Sequence, residues 1–302
     1  MREAAAAVTP TMWLAQPWLE IIVPARNEAA RLPAGLADLC AKAATLPAGV
    51  AIIVVDSAST DDTGRIARHW SRSADVPVRL VSCARPGKGA AVRAGLLATT
   101  APFVGFCDAD MATDLSALDM AVELLVRGSA AVLGSRSHPD STVQDRHSPV
   151  RRAGAAVFRA AARLVLPGVS DSQCGFKFFH GPLARAAAVD MRATGFAFDI
   201  ELISRCRQLG ARPTEIPVSW RDVAGSRFSV WRHSLTAFTE VASIWLALRK
   251  PSVWPGPEPV RRSASVAPGI TRRAQFSAGG TADPAPDTAE LDGPARVWPE
   301  TA

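Results

Sequence analysis

Two aspartates flank one alanine in Asp108-Ala109-Asp110, directly after a short apolar run at 103–107. On an extended chain residues i and i+2 point the same way. The spacing therefore predicts two carboxylates side by side at a strand end, an arrangement that calls for a cation. Hard oxygen ligands favour Mg2+ or Mn2+, which keep some of their waters and bind substrate phosphates. Such a triplet also occurs in solvated acidic loops, and its position after a buried strand gives this one its chemical content. A second feature, Gly87-Lys88-Gly89, opens a helical stretch. Glycines allow close backbone approach, and Lys88 at a helix N-terminus favours a negative ligand. The spacing matches neither the Walker sequence nor the dinucleotide fingerprint. Arg136, in Gly134-Ser135-Arg136, could clamp a diphosphate bidentately, and Arg151 or Arg152 could do so from a following helix.

These residues need a frame, and the apolar pattern supplies one. Short β-branched or apolar runs at 19–24, 50–55, 78–82, 103–107 and 130–133 alternate with helical spacing at 28–44, 62–72, 87–99 and 115–127. Thr60-Asp61-Asp62-Thr63 offers cap chemistry for the second helix. The alternation predicts an α/β fold, a mainly parallel doubly wound sheet with helices on both faces. Ligands in such sheets bind beyond the carboxyl ends of the strands. The polar clusters at 26–28, 56–59 and 108–110 all fall there. Further on, 171–179 mixes polar groups, a glycine and aromatics without regular period, which reads as a substrate loop. Asp199 and Glu201 open another helix, where acids also suit the helix dipole. Residues 215–220 read as an edge strand, since Pro217 donates no hydrogen bond.

Composition narrows the classes. The chain has 302 residues, 48% hydrophobic and 21% charged, with net charge +6. That excludes a wholly disordered or collagen-like chain. No sustained period supports helical repeats or a coiled coil. The basic residues are scattered without interleaved aromatics, so nucleic acid is not the expected partner. Five widely spaced cysteines predict neither a disulfide framework nor a zinc site, and they suit a reducing compartment. The first 18 residues read as a flexible leader, too weakly apolar for a signal peptide. No run approaches a membrane span. Residues 251–302 carry nine of the 23 prolines and no periodicity, which predicts a disordered tail. The folded unit is then about 19–250. Its last segment, 231–250, is amphipathic, with Trp231, Leu235, Phe238, Trp245 and Leu248 at helical spacing and Glu240 interrupting them. It suits either a membrane interface or packing on its own domain.

The ordered set of motifs resembles the inverting family 2 glycosyltransferases of the GT-A fold. Within them it is most similar to the polyprenyl-phosphate sugar synthases, the dolichyl-phosphate glucosyltransferase branch in particular. The resemblance spans about residues 19–230. It rests on 23–28, 54–61, Gly87-Lys88-Gly89 with Arg93 and Gly95, the Asp108-Ala109-Asp110 triplet and Gly134-Ser135-Arg136. It continues through 171–179, 198–202, 215–220 and Gly225-Ser226-Arg227. The chain departs from that pattern at Ser57, where a second Asp is frequent, and at Ala58, where Gly is frequent. A Tyr that often lies near Arg26 is also missing.

The resemblance implies transfer of a hexose from a nucleotide sugar with inversion. UDP-glucose is the favoured donor and GDP-mannose the second candidate. It places Pro24, Ala25, Arg26, Glu28, Asp56, Ser57, Lys88, Ala109 and Arg136 against the nucleotide sugar, and Mg2+ or Mn2+ on Asp108 and Asp110. A polyprenyl-phosphate acceptor would be seated by Arg152, Lys177 and Arg227. A hydroxyl acceptor would need a base, with Asp171 or Asp199 as candidates. The expected location is cytoplasmic, with a peripheral seat on the cytoplasmic face of the membrane. Two alternatives stand beside this reading: a family 2 enzyme acting on a soluble hydroxyl, and a catalytically idle nucleotide-sugar or lipid binder.

Overall fold

The computed structural model describes residues 17–47, 49–144, 149–223, 240, 241, 243, 244 and 246, with the backbone alone at 149–155 and 157. The first four strands follow the apolar runs: β1 (Leu19–Ala25), β2 (Val50–Ser57), β3 (Val78–Cys83) and β4 (Phe103–Cys107). Between them lie α1 (Leu32–Ala44), α2 (Thr63–Ser73) and α3 (Lys88–Ala98). After β4 come α4 (Ala117–Val126), β5 (Ala131–Ser135), β6 (Thr142–Gln144) and α5 (Pro149–Val165). The chain continues through β7 (Phe176–His180), α6 (Gly181–Val189), α7 (Phe198–Gln208), β8 (Pro213–Pro217) and β9 (Ser219–Arg221).

Seven strands form one sheet in the order β3-β2-β1-β4-β7-β5-β8, and β6 pairs with β9 in a small second sheet. All pairings in the large sheet are parallel except those of β7, which runs antiparallel between β4 and β5. Its residues Phe176, Lys177, Phe178 and Phe179 are all buried, as befits a central strand covered on both faces. The segment expected as a substrate loop is thus half loop and half sheet. Residues 171–175 form the loop, and the aromatics after it are core. The expected edge strand splits as well: β8 is the sheet edge, while Ser219–Arg221 turns away to join β6.

Two apolar layers sandwich the sheet. Ile22, Ile53, Val104 and Phe106 meet α3, α6 and α7 on one face. Ile21, Val23, Ile52 and Val54 meet α1, α2 and α4 on the other. The alternation along β1 and β2 follows from the two-residue period of a strand. Register then sets the site. Ala25 pairs with Asp56, Asp56 with Ser82, and Ile22 with Phe106. Leu133 pairs with Lys177, and Asp108 N–H donates to the Gly175 carbonyl at 3.1 Å. The loops after β1, β2, β4 and β5 therefore open at one edge, together with the loop entering β7.

The expected cap of α2 takes a different form. Asp62 occupies the N-cap position without a side-chain cap bond and pairs with Arg65. Asp61 accepts from the backbone N–H of Thr63 at 3.0 Å and reaches across to Ala29 N–H at 3.2 Å. Most of the expected amphipathic segment 231–250, and the expected leader and tail apart from residues 17 and 18, lie outside the described residues. Of that segment, Val241 and Ile244 are buried in the core layer on the α7 side and Leu246 is exposed. Glu240 accepts from Gly195 N–H at 3.2 Å. No helix among the described residues is long and apolar enough to cross a membrane.

Candidate active site

Two loops are stitched together at the edge of β1 and β2. Asn27, held at φ 55°, accepts the Thr60 N–H at 2.7 Å and donates its own N–H to Ser59 Oγ at 3.0 Å. Glu28 N–H donates to Thr63 Oγ1 at 2.8 Å. Asp56 accepts the Ser59 N–H at 3.2 Å, which closes the second loop on itself. Pro24 is half-buried, Ala25 buried, and Arg26 exposed beside the loop. The Ser57 hydroxyl donates to the Arg85 carbonyl at 2.9 Å and accepts the Gly87 N–H at 3.1 Å. Ser57 therefore positions the Gly87-Lys88-Gly89 turn, an indirect role beside its expected place against the nucleotide.

The aspartate triplet is not extended. Met111 N–H donates to the Asp108 carbonyl at 3.0 Å, so 108–111 is a tight turn, with Met111 at φ 46°. The two carboxylates still converge on one edge, and each meets a cation from a different helix start. Lys88 Nζ lies 2.5 Å from Asp108, and Arg31 Nη1 lies 3.7 Å from Asp110. Burial and the Asp108 charge push the Asp110 carboxyl above its ordinary value, as expected for two close acids. Burial opposes the charge on Lys88, but Asp108 and Asp199 outweigh it and hold the ammonium above its ordinary value. Ala109, expected against the donor, has a buried side chain, and its carbonyl lies against Gly35 of α1.

Arg136 follows β5 and forks onto Asp171, with Nε to Oδ2 at 2.7 Å and Nη2 to Oδ1 at 3.0 Å. The Arg136 backbone N–H adds a third bond to Oδ2 at 3.0 Å, and Gln173 N–H takes Oδ1 at 3.0 Å. Burial alone would raise this acid, but the Arg136 bonds and charge prevail and hold it down at about 2. Asp171 is thus saturated and weakly basic, which removes it as a general base. Glu215, an acid the sequence did not single out, accepts the N–H groups of Ser170 and Asp171 at 3.0 and 2.9 Å and fixes this loop. The Arg136 guanidinium lies 5.5 Å from the Trp220 ring centre, a cation–π distance.

Lys177 and Asp199 form a buried pair at 2.7 Å, with side chains 0% and 3% exposed. The ammonium also donates to the Cys174 carbonyl and lies 5.4 Å from the centre of the Phe106 ring. An acceptor seat at Lys177 is therefore corrected. A fully buried ammonium with an internal counter-ion holds α7 to β7. Burial pushes Asp199 above the ordinary carboxylate range despite Lys177 and Lys88, yet the same burial keeps it from an acceptor. The side chain of Arg152, and Arg227 altogether, lie outside the described residues.

The donor set suits a divalent ion of the kind expected. Asp108 and Asp110 are partly exposed oxygen donors, each now facing a positive side chain where a metal would neutralise them. Among the described residues no three acids, cysteines or histidines cluster into a cage. Two carboxylates fit an ion whose remaining positions go to water and phosphate.

A parallel sheet with one antiparallel insertion, its carboxyl edge carrying a paired-aspartate turn beside a lysine-bearing helix start, is the architecture of the GT-A-type glycosyltransferases. The chain belongs to glycosyl transferase family 2, whose model matches residues 20–180. It is 31% identical over 242 residues to a dolichyl-phosphate beta-glucosyltransferase of Drosophila melanogaster, covering 76% of this chain and 74% of that one. The enzyme of the same name from Dictyostelium discoideum is 28% identical over 240 residues, with 75% and 73% covered. Among solved structures, glucosyl-3-phosphoglycerate synthase from Mycobacterium tuberculosis, in complex with Mn2+, UDP-glucose and phosphoglyceric acid, shares the fold. The TM-score is 0.56, at 23% identity over 77% of this chain and 79% of that one.

Proposed function

We propose that this glycosyltransferase moves glucose from UDP-glucose to a polyprenyl phosphate, with inversion at the anomeric carbon. The observation that carries the acceptor class is the state of its acids. Asp171 is saturated by Arg136, and Asp199 is sealed beneath Lys177. A hydroxyl acceptor needs a base. A phosphate acceptor is already an anion and needs only cations to seat it. The relatives named above, dolichyl-phosphate glucosyltransferases by name, support the same reading.

Asp108 and Asp110 would hold Mg2+ or Mn2+, which when bound supplies Lewis-acid neutralisation of the departing nucleoside diphosphate. Lys88 adds a fixed positive charge beside it, already oriented by Asp108. Arg136, forked onto Asp171, presents a rigid cation next to Trp220. The loops held by Asn27, Ser59 and Asp61 form the nucleotide seat, with Pro24, Ala25, Arg26, Glu28 and Asp56 at its wall. Arg152 and Arg227 are the proposed acceptor cations, and the seat is peripheral, at the cytoplasmic face of a membrane.

The test offers UDP-glucose and GDP-mannose with Mn2+ or Mg2+ to the purified chain, with and without a short polyprenyl phosphate, and reads products by mass. A glucosyl lipid phosphate formed only with metal, and lost in Asp108→Ala, is the expected result. Metal-dependent donor hydrolysis without any lipid product would overturn the acceptor assignment and move it to a soluble hydroxyl.

A further inference from the structure

Arg31 belongs to none of the sequence motifs, and an acid and an arginine at i,i+3 ordinarily make a surface pair. The structure gives it a different setting. Its Nε and Nη2 donate to the two Glu28 oxygens at 2.8 and 2.7 Å, a fork that fixes the guanidinium plane. The third nitrogen, Nη1, is buried, has no hydrogen-bond partner, and faces Asp110 Oδ2 at 3.7 Å. A buried cationic N–H without a partner is costly, and here it stops just short of a carboxylate. The backbone beneath is equally constrained. One turn along α1, a methyl on Gly35 would stand 2.5 Å from the Ala109 carbonyl. The first turn of α1 and the aspartate turn are thus in register through both backbone and side chains.

We propose that Arg31 is a positioning residue for the donor site. Anchored by Glu28, it sets the orientation of the Asp110 carboxylate, and so the geometry in which a divalent cation and a nucleoside diphosphate are held together. This rests on the reading of Asp108 and Asp110 as the metal-binding pair. A guanidinium this close could act in an opposite sense, as a charge that merely repels the ion. The two roles differ in sign. Removing a repelling charge tightens Mn2+ binding, whereas removing a positioning group weakens it.

The experiment measures Mn2+ binding to the full chain at saturating UDP, by calorimetry and by the Mn2+ paramagnetic resonance signal, for wild type, Arg31→Gln, Arg31→Lys and Glu28→Gln. Weaker Mn2+ binding by about tenfold in Arg31→Gln is expected. Arg31→Lys should also be weaker, since an ammonium cannot fork onto Glu28 and reach Asp110 together. Glu28→Gln keeps the Arg31 guanidinium and its charge but replaces the anchoring carboxylate by a neutral amide, so it keeps the test open if Arg31→Gln does not fold. It should weaken Mn2+ binding, and the double variant should lose little more than either single one. Tighter or unchanged Mn2+ binding in folded Arg31→Gln overturns the proposal, as does a loss of melting temperature alone, which would mark a plain helix-start role. If wild type binds neither Mn2+ nor UDP, the donor-site reading itself fails, and the proposal falls with it.

Discussion

One methyl group at Gly175 should silence transfer while leaving the chain folded. Gly175 is not in the left-handed region, so its backbone accepts an alanine. The obstacle is space. A Cβ there would stand 2.0 Å from Asp108 Oδ2, 2.2 Å from Cγ and 2.5 Å from Oδ1. The closest approach is about 1.4 Å short of ordinary contact, so the carboxylate must swing away. The backbone cannot yield easily, because Asp108 N–H is bonded to the Gly175 carbonyl at 3.1 Å. Swinging breaks the Lys88 pair, which is partly exposed and so contributes no more than about 1 kcal/mol to stability. The catalytic cost is larger, since a misplacement near 1 Å lowers turnover about 100-fold. Urea unfolding should move by about 1 kcal/mol or less, while kcat for sugar transfer falls about 100-fold. The double variant Gly175→Ala/Asp108→Ala should be no worse than Asp108→Ala alone. Folded Gly175→Ala with turnover within a few-fold of wild type would refute the placement of Asp108 at the reacting end of the site.

Two further outcomes follow from single residues. Asp171 is held at about 2, below its ordinary 3.8, so its pairing with Arg136 contributes about 2 kcal/mol. Because the folded value is depressed, that stabilisation is present above about pH 4 and is lost as pH falls towards 2. The difference in urea stability between wild type and Asp171→Asn should shrink over that window, and a difference constant with pH would show that the pair is not what the acid titrates. Ala58 is exposed at φ 52°, a left-handed setting that penalises a side chain. Ala58→Gly should raise stability by about 0.5–1 kcal/mol after allowing for glycine's greater unfolded freedom, and a lower melting temperature would show that the turn carries no strain.

The strand and helix order as far as β5 was legible because each element carries its own local period, and the polar clusters sat at strand ends. The antiparallel β7 was not. Strand direction leaves no trace in local periodicity, and Lys177 broke what would otherwise read as an apolar run of phenylalanines. Its burial becomes intelligible only once Asp199, on a later helix, is seen to cover it. The same holds for Glu215, whose role is to receive two backbone N–H groups from a loop far earlier in the chain. Asp108 and Asp110 were readable as a pair, but their geometry was not. A turn closed by Met111 N–H, with Met111 itself at positive φ, replaces the extended segment that the spacing suggested. Ala58 had a sequence signal of its own, its departure from the glycine frequent in the pattern the chain resembles, and its φ of 52° gives the physical reason.

The charges of the site share one design that no single motif displays. Four acids, Asp110, Asp108, Asp171 and Asp199, each face a cation: Arg31, Lys88, Arg136 and Lys177. The pairs differ in burial in a way that separates their tasks. Lys177–Asp199 is sealed, and a sealed pair is costly to break, since either partner alone would be an uncompensated charge. Arg136–Asp171 buries its acid but leaves the guanidinium partly open. Lys88–Asp108 and Arg31–Asp110 leave all four side chains partly exposed, although Arg31 Nη1 itself is buried, and the second pair lies beyond hydrogen-bond distance. Without donor, Lys88 is the counter-ion of Asp108, and Arg31 is shared between Glu28 and Asp110. On the proposed reading, a divalent ion held by Asp108 and Asp110 would neutralise Asp108 in place of Lys88, and Lys88 would then face the diphosphate. A divalent ion and a nucleoside diphosphate would then nearly offset one another's charge at this edge. Ion and nucleotide should consequently bind with positive cooperativity, each alone leaving charges the other would offset. Measured Mn2+ affinity that is the same with and without UDP would show that the open pairs do not exchange partners.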